Sequence, residues 1–386
     1  MRAILFTILL AMTSAFATAD ERTDVIVLGN NPSSISASIQ AARSGVRTIL
    51  ISAGEPALTI TPADTVSADP AGIWPEFIRR NQEKPGLSPA ALVKNFTDTI
   101  KNLTIIRGEV KKIERAGKGW EVKLTNGREL KCQVLVDAGN HAASVEKSPA
   151  TLSQRITETG IPADLYSSRL FRTSVATGPG LSDLIPIGAL ISKEENYIVA
   201  GPQGNTAASM LAGQAAGASA AYCAYFKTTT RSLQVRMTQG ELLRYNGSLI
   251  PVQDVSRNDP AFIPVQHILA TGILKLENGR FNPAGTINPT HLRLPLKEYF
   301  SRSQIWFLNH KKDTLTIGDA VDLIMFTATR GEELRREIES GWSSSLKLQG
   351  TYDPKRVVTR LELAVLIDRF LKPFGVNVDF AGRLVR

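Results

Sequence analysis

The chain has 386 residues, with 45 basic side chains against 36 acidic ones and a formal net charge of +9. The basic residues are scattered and aromatics make up only 6% of the chain, which excludes a dedicated nucleic-acid surface and suits at most a weak attraction to anionic polymers. No stretch after the amino-terminal leader is long and apolar enough for a membrane span, and the length suits two domains better than one.

Residues 1–19 read as an export leader. Arg2 supplies a positive start, residues 3–12 an apolar core, and Ala17-Thr18-Ala19 a cleavage motif before Asp20. The expectation is therefore an exported protein, periplasmic, held in the cell envelope or secreted. Cys132 and Cys223 are far apart in sequence. Export permits a bridge, but spacing does not show that their Cα atoms come within bonding range, and buried free thiols are the favoured expectation. His141, His267, His291 and His310 lack ligand spacing, so no metal site is expected.

Asp24-Val-Ile-Val-Leu28 is a short apolar run ending at Gly29, the form of a strand buried on both faces of a parallel sheet. Pro32-Ser33-Ser34 supplies helix-start residues, Ile35, Ile39 and Ala42 follow at helical spacing, and Gly45 closes the helix. A second strand over 46–51 completes a βαβ opening. In the G-x-G-x-x-G pattern the first glycine makes the turn, the second lets backbone approach a pyrophosphate, and the third lets helix pack on strand. The three places here read Gly29, Asn31 and Ser34. Asn tolerates unusual backbone angles and Ser is small. Ser52 stands where an acidic ribose ligand is expected, and Glu55 could substitute only if the loop folds back. On these residues alone, a dinucleotide site and a ligand-free α/β core both stand open.

Further along, the spacing of Leu92, Val93, Phe96 and Ile100 predicts a helix over 88–102. A strand over 103–110 follows, then two alternating strands around Asn126-Gly127. Another buried strand, Cys132 to Gly139, ends in small residues. The segment from Leu184 to Phe226, "LIPIGALISKEENYIVAGPQGNTAASMLAGQAAGASAAYCAYF", holds a strand ending at Gly201 and then an Ala/Gly-rich helix.

This order resembles the FAD-dependent oxidoreductases of the two-dinucleotide-binding-domain type. In that family a G-x-V segment sets a valine backbone against the adenine, the place Val110 occupies. A strand of the (I/V)DATG form passes beside the flavin, and Val136-Asp137-Ala138-Gly139 looks like a version without the threonine. The closing "VAG" strand and GQAAG helix match Val199-Ala200-Gly201 and Gly213-Gln214-Ala215-Ala216-Gly217. The resemblance implies FAD as cofactor, held by Gly29, Asn31, Pro32, Ser33, Ser34, Ser52, Val110, Ala138, Gly139, Gly201, Gly213, Gln214, Ala215 and Gly217. It covers Asp24 to Phe226, with a shortened stretch between Gly139 and Leu184 that implies a reduced substrate cap. No catalytic acid, base or nucleophile stands out, and flavin chemistry does not require one.

The last third carries a repeat. Gly279-Arg-Phe281-Asn-Pro283 aligns with Gly350-Thr-Tyr352-Asp-Pro354, 71 residues apart, and each copy is followed by a capped helix. Asn288 with Pro289 opens one, and the capping box Thr359-x-x-Glu362 opens the other. Helices are predicted before each turn, over 261–270 and 331–340. The form resembles S-layer homology modules, with Val358-Thr359-Arg360-Leu361-Glu362 close to their I-T-R-A-E helix start. That resemblance implies cell-wall glycan as a partner and Arg360 as its contact, while a packing appendage without a glycan site is the other reading.

Taken together, the expected class is α/β: a Rossmann-like FAD/NAD(P)-binding domain with a β-rich insertion over 20–232, then a smaller all-α domain of S-layer-homology-like repeats over 250–386. The leading expectation is an exported FAD-dependent oxidoreductase acting on an unidentified small molecule, with weakened flavin binding. The alternative is a non-catalytic flavoprotein fold that binds the envelope, and a nicotinamide-only dehydrogenase stands third.

Overall fold

The structure, a computed structural model, describes residues 21–61, 71–139, 141, 150–162, 164–201 and 203–386, so the leader reading of 1–19 lies outside the described residues. At its centre is β1 (Glu21–Leu28), whose aliphatic run Val25 to Leu28 has no solvent exposure. Such a strand needs cover on both faces and partners on both edges. It pairs in parallel with β2 (Thr48–Ser52) on one side and β6 (Glu129–Asp137) on the other. β2 pairs in parallel with β3 (Leu103–Arg107), and β9 (Tyr197–Val199) adds in parallel to the end of β6. β4 (Val110–Ala116) and β5 (Gly119–Leu124) form an antiparallel meander with the beginning of β6. The order is β3-β2-β1-β6-β5-β4, an α/β fold with a parallel core and a β-rich insertion, and β7 (Ser174–Ala176) with β8 (Leu184–Pro186) forms a separate antiparallel pair.

Two strands were expected where the chain makes β6 alone. The segment after the Asn126-Gly127 turn and the buried run from Cys132 are one strand, because its first half pairs with β5 and its end pairs with β9. The helix expected over 88–102 stops early, as α3 (Pro89–Thr97); Thr97 and Thr99 hydroxyls donate back to the Val93 and Phe96 carbonyls as the chain turns toward β3.

One face of the sheet carries α1 (Pro32–Arg43) and α4 (Thr206–Tyr225) side by side. Outside α1 lie α2 (Trp74–Glu83) and α3, with Trp74, Phe77 and Phe96 packed on Ile35 and Ile39. The other face buries Ile26, Leu28, Ile49 and Ile51 against Trp120, Val122 and Tyr197. Cys132 belongs to this layer, whereas Cys223 on α4 belongs to the opposite one; both are buried, free thiols with the sheet between them.

After α4 the chain is helical: α5 (Val235–Arg244), α6 (Phe262–Thr271), α7 (Pro289–Tyr299), α8 (Ser303–Asn309), α9 (Ile317–Ala328), α10 (Glu332–Gly341) and α11 (Arg360–Phe370). Segments leading into these helices hydrogen-bond to one another. Arg360 N and Leu361 N donate to Gly285 O and Pro283 O, while Val358 N donates to Leu315 O and Ile317 N to Arg356 O. A third helix start therefore stands between the two aligned copies: Thr316 with Asp319 forms a capping box on α9. One apolar interior runs from Val134 and Val136 of β6, past α4 and α5, to Leu269, Ile324 and Leu366. Among the described residues no helix is long and apolar enough to cross a membrane.

Candidate functional site

The chain leaves β1 into α1 and thence to β2 on one side, while β6 borders β1 on the other. In open α/β sheets a crevice forms outside the carboxyl ends of the strands at such a switch point. Gly29 makes the exit with φ +143°, and a Cβ there would lie 3.0 Å from Ser34 Cβ and 3.2 Å from Gly139 N. Only glycine meets both demands. Across from it the chain leaves β6 through buried Ala138 and exposed Gly139, held to β1 by Ala138 N donating to Leu28 O at 2.9 Å.

The tip of α1 faces this crevice. An open helix start presents backbone N–H groups to an anion, but here the chain supplies its own acceptor. Asn31 is the N-cap: its Oδ1 accepts from Ser34 N at 2.9 Å, and Ser34 Oγ accepts from Asn31 N at 3.0 Å. Asn31 Nδ2 then donates to Ala138 O at 2.6 Å, tying the α1 tip to the end of β6. Pro32, at the first helical position, has no N–H to offer. A diphosphate seated there needs Ser34 N and the space of the Asn31 amide, so the residues do not fit that group in this arrangement. With Asn31 turned away they present the usual helix tip.

The remaining expected contacts divide clearly. Ser33 is buried, with its hydroxyl donating to Ser209 O at 2.6 Å, which sets the first turns of α1 and α4 against each other. Gly201 lies beside them, its carbonyl 3.4 Å from Ser33 Oγ. Ser52 Oγ donates to Gly54 O, and Glu55 turns to Arg107 at 2.8 Å rather than to the β2 end. Val110 opens β4 opposite Leu124. A cleft of about 440 Å³ lies off to this side, lined by Glu55, Val93, Lys94, Ile105 and Arg107.

Gly213, Gln214, Ala215 and Gly217, expected against a cofactor, are taken up by packing within the chain, Ala215 with no solvent exposure. A Cβ on Gly213 would overlap Ser33 O, and one on Gly217 would overlap Ala37 O. The two glycines let α4 lie on the α1 backbone. Buried Gln214 donates to Gln40 Oε1 at 3.0 Å and Tyr245 O at 2.9 Å, and accepts from Ile73 N at 3.2 Å. It ties four segments together beneath the helices, away from the crevice. Arg360, expected as a glycan contact, is likewise turned inward: it is 6% exposed and donates to Phe281 O at 2.7 Å, Lys275 O at 2.5 Å and Glu277 Oε1 at 3.1 Å. It braces the repeat.

One group at the crevice carried no role in the sequence reading. Asp137, the last residue of β6, has no solvent exposure. Its Oδ1 accepts from Gly139 N at 3.2 Å and His141 N at 2.9 Å and lies 3.0 Å from His141 Nδ1, while Oδ2 accepts from Tyr197 OH at 2.8 Å. Burial, and then the Asp137 charge, push the Tyr197 phenol far above its ordinary range, so it remains a donor. The result is an imidazole fixed by a buried carboxylate beside the exposed Gly139, with 24% of the His141 side chain open to solvent. An acidic residue closing a small-residue strand end was the available signal.

No family model matches the chain, and no curated protein matches it. Among solved structures, HlmI is similar at 26% identity over 30% of this chain and 34% of its own, with a TM-score of 0.22. A thioredoxin reductase from Streptococcus pyogenes shows 20% identity over 31% of this chain and 36% of its own, TM-score 0.22. A bacillithiol disulfide reductase from Staphylococcus aureus shows 17% identity over 31% and 46%, TM-score 0.23. The chain thus spans less than half the length of each of these structures.

Proposed function

We propose that the chain is built on the plan of the FAD-dependent oxidoreductases, that FAD is the ligand its β1/β6 crevice takes when Asn31 gives way, and that it transfers electrons to or from a small molecule. The observation that carries this reading is the joint placement of the α1 tip, Gly29 and Gly139 over the switch point of a β3-β2-β1-β6 parallel core with a meander insertion. The chain's own part is to bring the β1 exit against the β6 end at Gly29, where a Cβ would meet Ser34 and Gly139, and to hold the His141 ring against Gly139 through Asp137. The leader-like residues 1–19 favour an exported location, and the paired G-x-(F/Y)-(N/D)-P turns favour an S-layer-homology-like plan for the helical region.

A second reading is favoured by one observation, the Asn31 amide filling the diphosphate seat. In it the fold persists as a non-catalytic envelope protein. The absorption spectrum of the purified protein, before and after incubation with excess FAD and removal of free flavin, separates the two. A flavin spectrum at stoichiometric yield supports the first reading. A colourless protein that also refuses added FAD rejects it in favour of the second.

A further inference from the structure

We infer that Asn31 is a latch that competes with the cofactor diphosphate for the tip of α1, and so sets how tightly this chain holds a dinucleotide. The inference rests on the FAD reading above and adds to it the residue that controls affinity. Three features of the geometry point to it.

The amide makes two bonds of opposite sense. Oδ1 takes the Ser34 N–H at 2.9 Å and Nδ2 gives to Ala138 O at 2.6 Å. Rotating the amide by half a turn would set NH₂ against N–H and oxygen against oxygen, so this orientation is fixed by chemistry. The two anchors also lie on opposite sides of the crevice: Ser34 on α1, Ala138 just past the end of β6. The side chain therefore crosses the path a diphosphate takes between a helix tip and the neighbouring strand end. Finally, Asn31 has an extended backbone, φ −145° and ψ 171°, which any residue adopts without strain. The side chain can therefore be exchanged without disturbing the turn, and the asparagine itself is what closes the seat.

The latch is a competitor rather than a wall, since a ligand must replace both hydrogen bonds before it gains its own. Shortening the side chain removes the competition. Asn31→Ser retains an N-cap oxygen for Ser34 N but cannot also reach Ala138 O. Asn31→Gly removes both contacts and leaves a glycine N-cap. Asn31→Asp keeps the cap and places a negative charge at the seat.

Equilibrium titration of FAD, followed by flavin fluorescence, tests this on the full chain and the three variants, with melting curves confirming that each is folded. The expected result is that Asn31→Ser and Asn31→Gly bind FAD roughly tenfold more tightly than the parent, equivalent to about 1.4 kcal/mol. Asn31→Asp should bind more weakly than the parent. If Asn31→Gly fails to fold, Asn31→Ser carries the comparison. Equal affinity in the parent and the shortened variants overturns the latch and leaves the FAD reading standing. Absence of FAD binding in every protein, shortened variants included, overturns the FAD reading and the latch with it.

Discussion

A methyl group added at Gly213 has nowhere to go, because Ser33 O already occupies its position. Gly217 meets Ala37 O in the same way four residues on, so the pair lines up with one face of α1. Serines complete the contact: Ser33 Oγ and Ser36 Oγ each donate 2.6 Å bonds to the Ser209 and Met210 carbonyls of α4. Gly213→Ala should therefore cost about 1–3 kcal/mol through overpacking, read as a lower denaturant midpoint; an unchanged midpoint would contradict this close approach. The Gly-Gln-Ala-Ala-Gly string was legible as a helix that something approaches closely, but nothing in its letters distinguishes a ring system from a neighbouring helix. Arg360 teaches the same lesson. Its motif left a glycan contact and a packing role both open, and burial with two carbonyl acceptors makes it a brace. Arg360→Ala leaves those carbonyls short of a donor and should destabilise the fold by about 2–4 kcal/mol. A variant that kept full stability while losing affinity for cell-wall polymer would reverse this assignment.

At the scale of elements, local signals were strongest where a cap and an apolar period agreed. The opening βαβ, α6, α10 and the capped α11 stand close to where their residues put them. Misses came where tertiary pairing decides, as in β6, which serves β5 along one half and β9 along the other. Others came from short elements with weak periodicity, such as α8. The α9 capping box escaped the two-copy alignment because its turn lacks the aromatic-x-Pro pattern, although Thr316-x-x-Asp319 was readable as a helix start. That box carries a pH signature. Burial works against the Asp319 charge, but hydrogen bonds from Lys312 and from Thr316 outweigh it and hold the carboxyl below its ordinary value of 3.8. A depressed folded-state value means the stabilisation is complete above about 3.8 and is lost as pH falls through the lower folded value. Stability should accordingly decline on acidification below that point, and less steeply in Asp319→Asn; parallel declines in both proteins would contradict the assignment.

For the whole molecule, the decisive feature is that sheet and helical region share one apolar interior, from Val136 to Leu366. Composition and length suggested two parts, and no local pattern could reveal that α4 and α5 join them. Such continuity should yield one cooperative unfolding transition by calorimetry and by circular dichroism alike; two well-separated transitions would mean that the parts are energetically independent. Both thiols are buried, Cys223 in this interior and Cys132 in the layer across the sheet, and burial pushes the ionisation of each up to about 12. Ellman's reagent should find neither cysteine in the native protein and both after denaturation without reductant. A denatured protein that yields no thiol would instead require a bridge across the sheet.

A nucleotide diphosphate is proposed to sit over β1 and β6, in competition with Asn31. Hydrogen exchange read by mass spectrometry, with and without FAD on the full chain, addresses that place directly. Slower exchange is expected in peptides covering 29–36 and 136–139, at the α1 tip and the end of β6. Protection confined to other parts of the chain, or none at a flavin concentration that saturates Asn31→Gly, would contradict it.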